Sequence, residues 1–108
     1  MFDRIKVQML AKGETVLGDD PSLVDHYAQL INERLSAMND AWCDAQEAAE
    51  GDDQAAKLDA LSKEIAKVLC SVAAFGYSFG FPMEEVVERV IREGDALRSP
   101  MFADGVVR

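Results

Sequence analysis

The chain carries no glycine-rich phosphate loop, no dinucleotide fingerprint and no cysteine or histidine spacing of the kind that holds zinc. Those absences set aside the nucleotide folds and zinc modules that announce themselves in short motifs. It has one histidine, His26, beside Asp25. Sequence neighbours on a helix point apart, so the two are not a ready catalytic pair, and no serine–histidine–acid motif accompanies them. Basic residues are few and scattered, 11 against 20 acidic ones, for a net charge of -9. A polyanion would be repelled on average, which argues against nucleic-acid partners and against anionic membrane surfaces. The longest charge-free run, Val68 to Met83, is shorter than the roughly 20 residues that span a bilayer, and it is interrupted by serine and glycine. Residues Met1 to Lys6 lack the apolar core of a signal peptide. Cysteine is limited to Cys43 and Cys70, each inside an apolar helical pattern, which reads as two reduced core thiols. A cytoplasmic location is the simplest expectation from these features together.

Period-two alternation is nearly missing as well, and apolar residues recur instead at three and four. The expected fold class is therefore all-α: an antiparallel helical bundle of three to four helices. One domain, 1–108, accommodates the length: an N-terminal helix and loop over 1–20, a helical core over 21–98 and a tail over 99–108. A first short helix uses Phe2, Ile5, Met9 and Leu10 and stops near Gly13. Gly18-Asp19-Asp20-Pro21-Ser22 is turn chemistry leading into a helix, with proline suited to a first turn.

The second helix is expected from about Ser22 to Glu50, with Leu23, Tyr27, Leu30, Ile31, Leu35, Met38, Trp42 and Ala45 along one stripe. The short Gly51-Asp52-Asp53 link makes the third helix return antiparallel, with Asp53 as its N-cap. That helix runs from about Gln54 to Ser78, and from Val68 onward its apolar residues fall on nearly every face, as in a helix buried on several sides. Gly76, Gly80 and Pro82 end it and start a fourth, with Glu84 and Glu85 at the positive end of the dipole.

Acidic residues at helical spacing offer one route to chemistry. Facing helices in a bundle can assemble a magnesium site from carboxylates. Glu33 and Asp40 lie a heptad apart on the second helix, and Glu64 lies on the third. Together they form the candidate metal set, although acids at such positions also serve as the solvated side of an amphipathic helix.

Three segments then carry a resemblance. Leu30-Ile31-Asn32-Glu33-Arg34-Leu35-Ser36-Ala37, Lys63-Glu64-Ile65-Ala66-Lys67-Val68-Leu69 and Phe79-Gly80-Phe81-Pro82-Met83-Glu84-Glu85-Val86 follow one another as in the all-α nucleoside triphosphate pyrophosphohydrolases. The chain resembles that MazG-like and phosphoribosyl-ATP pyrophosphohydrolase-like group over roughly Pro21 to Arg98. The resemblance implies a magnesium-dependent hydrolase releasing pyrophosphate, its metal held by carboxylates on the two long helices. Here those positions fall at Arg34, Ala37, Glu64 and Lys67, and only Glu64 is acidic. The group's later asparagine and lysine positions fall near Gly94, Asp95 and Arg98 and match poorly.

Two functions follow as expectations. One is a pyrophosphohydrolase fold, degenerate in catalysis, with Arg34 and Lys67 replacing metal carboxylates as phosphate-binding or salt-bridging groups and magnesium needed only if activity survives. The other is a non-catalytic helical oligomer that binds a protein or a nucleotide. The broad apolar faces around Val68 to Phe81 also imply a homodimer or homotetramer that completes the bundle.

Overall fold

A computed structural model describes residues 1–94 and 97. The expected tail 99–108, and the positions Asp95 and Arg98, lie outside the described residues. Every regular element among those described is helical: α1 (Asp3–Ala11), α2 (Pro21–Glu47), α3 (Asp52–Ser78) and α4 (Met83–Arg92). The fold class is all-α. No single helix is long and apolar enough to cross a membrane.

Local chemistry explains the boundaries. Asp20 caps α2, its Oδ1 accepting from the Leu23 amide at 3.2 Å, and Pro21 occupies the first turn. The α2–α3 link differs from expectation in detail. α2 stops at Glu47, and α3 begins at Asp52 with Gly51 before it. Asp53 sits inside the first turn of α3 rather than at its cap. Its Oδ2 accepts from the Ala49 amide at 3.1 Å, so it fastens the loop, and with Asp52 it places negative charge at the helix N-terminus. α3 closes on two backbone bonds, Gly80 N–H to Tyr77 O at 2.9 Å and Phe81 N–H to Gly76 O at 3.3 Å, which satisfy carbonyls left free by the last turn.

α2 and α3 are each 27 residues, about 40 Å long, and pack on one another as a hairpin. α1 lies against α3, and α4 turns away from α3 at 113°. The core gathers at one end of the hairpin. Phe2 and Met9 from the N-terminal segment, Leu23 and Tyr27 from α2, and Ala73, Ala74 and Tyr77 from α3 are buried there. Val16, Phe75, Met83 and Val87 pack around them. The multi-sided burial expected for the end of α3 is present: Ser71, Gly76 and Ser78 are buried as well.

Toward the α2–α3 link the hairpin is thin. Ala45 is the only buried residue described between Glu33 and Cys70. Both cysteines are free and exposed, which corrects the expectation of core thiols. Cys43 follows the half-exposed Trp42 in this thin region, where it is exposed among the described residues.

Candidate functional site

Three helices enclose a shallow cleft of about 220 Å³. α1 supplies Ile5, Gln8 and Met9, with Lys12 just after it. α2 supplies Tyr27, Leu30 and Arg34, and α3 supplies Cys70, Ser71 and Ala74. The i, i+3 and i, i+4 spacings within each set place each helix's residues on one face.

The polar groups of the cleft are mostly spoken for. Tyr27 donates its hydroxyl to Glu14 Oε1 at 2.6 Å. Burial, then the Glu14 carboxylate it donates to, pushes the Tyr27 hydroxyl well above its ordinary pKa. Lys12 Nζ lies 3.7 Å from the same carboxylate. Ser71 donates back to the Lys67 carbonyl at 2.8 Å within its own helix. Arg34 differs. It is partly buried, and no described carboxylate lies within 4.0 Å of it.

The other candidate residues do not converge on Arg34. Glu33 and Asp40 are exposed on α2. Glu64 on α3 is only 23% accessible, and Lys67 reaches it along the same helix, Nζ to Oε1, at 3.6 Å. That distance is an ion pair and too long for a direct hydrogen bond. Lys67 itself is 54% accessible. The two cations thus have separate surroundings: Lys67 rides on the helix surface beside Glu64, and Arg34 faces the cleft.

Magnesium takes oxygen ligands in octahedral geometry, and a few carboxylates, waters and substrate phosphates usually supply them. Among the described residues, no three Asp, Glu, His or Cys side chains come together as a cation site. Glu33 and Asp40 are exposed on α2 and Glu64 stands beside Lys67 on α3, so these three do not come together as one such group.

The contribution of α1 to the cleft was not readable from sequence. Gln8 and Lys12 stand four residues apart on a short polar face, a pattern shared by any solvated helix. Nothing in it says that this face lines the same cleft as Arg34. Glu14, which engages both Tyr27 and Lys12, lies in the loop after α1 and belongs to no motif. Comparison with known proteins finds no matching family model, no matching curated protein and no matching solved structure.

Proposed function

We propose that the chain is a non-catalytic helical module, built on a degenerate MazG-like plan, that binds a phosphate-bearing ligand such as a nucleotide in the cleft between α1, α2 and α3. Arg34 carries the reading. A partly buried guanidinium without a described carboxylate partner, at the wall of a three-helix cleft, is set to receive an anion. Its planar fork matches two phosphate oxygens at once. Gln8 of α1 lines the same cleft as a further donor, as does Lys12, which lies 3.7 Å from Glu14.

The reasons for setting hydrolysis aside are in the side chains. Breaking a phosphoanhydride requires that charge developing on the phosphoryl oxygens be neutralised and that a water be activated. In the resembling group, carboxylates hold the cation that does this. Here Arg34, Ala37 and Lys67 replace three of the four, and Lys67 already stands beside the fourth, Glu64. The positive charge is built into the chain, which supports recognition of phosphate without its cleavage.

Calorimetric titration separates the two functions. The expected result is no heat with magnesium alone and saturable binding of a nucleoside triphosphate without metal. Arg34→Ala should weaken that binding about tenfold or more, the worth of charge-assisted hydrogen bonds. Nucleotide binding that requires magnesium would contradict the reading.

A further inference from the structure

One acidic side chain sets the two cations of the cleft apart. Glu14 lies in the loop after α1, and only 19% of its side chain is accessible. A single oxygen, Oε1, accepts from the Tyr27 hydroxyl at 2.6 Å and stands 3.7 Å from Lys12 Nζ. Both partners line the cleft. Tyr27 is buried, and its hydroxyl keeps its proton at neutral pH, so the donor that holds Glu14 in place is always present. Lys12 and Glu14 offset one another. Arg34 is left as the lining cation with no described carboxylate within 4.0 Å.

Resting on the reading of this cleft as an anion site, we propose that Glu14 makes it selective for one phosphate group. The cleft then takes a monophosphate ester with an apolar body in preference to a diphosphate or a triphosphate.

Charge supports this. A phosphate monoester carries about -1.5 to -2 charges at neutral pH. One guanidinium, with Gln8 as a neutral donor beside it, meets most of that. Each further phosphate adds negative charge, and Lys12 can answer it only by leaving Glu14. The carboxylate would then stand uncompensated beside an anion, and like charges at close range repel. The chain's net charge of -9 adds a longer-range repulsion of the same sign.

Size points the same way. The cleft measures about 220 Å³, below the roughly 300–1,000 Å³ of pockets that bury a drug-sized ligand. It has room for one phosphate and part of the group it esterifies. Ile5, Met9, Leu30 and Ala74 line the remainder, which suits an aliphatic stem or the face of a ring.

Calorimetric titration with adenosine mono-, di- and triphosphate holds the body constant and varies the charge. In metal-free buffer of matched ionic strength, affinity should fall with each added phosphate, by about tenfold over the series. Glu14→Gln keeps an oxygen for the Tyr27 hydroxyl, removes the charge and releases Lys12. It should shrink that preference to about threefold or less. Lys12→Gln leaves Glu14 uncompensated and should widen it. The readout is a ratio between two ligands on one protein, so a partial loss of folded material does not move it. Phenyl phosphate should bind more tightly than inorganic phosphate, through the apolar wall. Arg34→Ala should weaken every member of the series. Affinity that rises from mono- to triphosphate, yet is lost in Arg34→Ala, would overturn the selectivity and leave the anion site standing. A monophosphate preference that Glu14→Gln does not change would overturn the role of Glu14. Binding of none of these ligands would overturn the anion site and the proposal with it.

Discussion

The hydroxyl of Tyr77, at the end of α3, donates to Asp3 Oδ1, at the start of α1, over 3.1 Å. The tyrosine is buried to 2% exposure, so this bond ties α1 to the buried end of α3. Burial first, and then the Asp3 carboxylate, raise the Tyr77 pKa from 10.0 to about 12. A raised folded-state value favours the protonated form. The stability it provides is complete below pH 10 and is lost as pH rises toward 12. Urea denaturation across that range should show falling stability, and Tyr77→Phe should flatten the decline. Near neutral pH the same variant should cost roughly 1 kcal/mol, the net worth of one hydrogen bond.

At the acid end, Glu84 takes the corresponding role for α4. Its Oε1 accepts from the N-terminal ammonium and from the Phe2 amide, each at 2.6 Å. The ammonium, with help from the Phe2 amide, holds the carboxyl below its ordinary value of 4.5. A lowered folded-state value has the opposite sign: its stabilisation is present above pH 4.5 and disappears as pH falls through the folded value. Glu84→Gln should weaken the acid dependence of unfolding. Hydrogen exchange should report earlier opening of α4 than of α3. Unchanged exchange in α4 would contradict the assigned contact.

Two glycines separate backbone strain from close approach. Gly13 and Gly18 have φ of 82° and 78°. A Cβ on Gly13 would meet open space, whereas one on Gly18 would lie 2.6 Å from the backbone oxygen of Phe79. Gly13→Ala should cost about 1 kcal/mol, the left-handed backbone penalty. Gly18→Ala should cost at least about 2 kcal/mol, because the loop must also move away from the end of α3. Equal effects in thermal unfolding would argue against the loop packing there.

Arg34 and Lys67 should part company under substitution. Lys67 is exposed beside Glu64, so Lys67→Ala should alter stability by no more than about 0.5 kcal/mol, the usual worth of a surface ion pair. Arg34→Ala should likewise leave the fold intact while removing ligand affinity. A large loss of stability from Lys67→Ala would contradict this and make its salt bridge to Glu64 a structural one.

The helices were legible because their signals are local. Asp20-Pro21 starts α2, Gly51 precedes α3, and the Phe79–Pro82 break separates α3 from α4, each through backbone chemistry contained within a few residues. What the stripes press against was not legible. Leu35 and Trp42 read as core by period, yet they stand 38% and 50% exposed because periodicity identifies a face and not its partner. Cys43 and Cys70 were misread for the same reason. At the candidate site, Arg34 and Lys67 stood out as cations in acidic positions. Their different surroundings depend on where α1 docks, and that docking rests on long-range contacts such as Tyr77 to Asp3.

Pyrophosphate release from nucleoside triphosphates with excess magnesium tests the central claim most directly. The account predicts no release above the uncatalysed background, alongside nucleotide binding that Arg34→Ala weakens. Steady turnover that disappears in Glu64→Gln would contradict it.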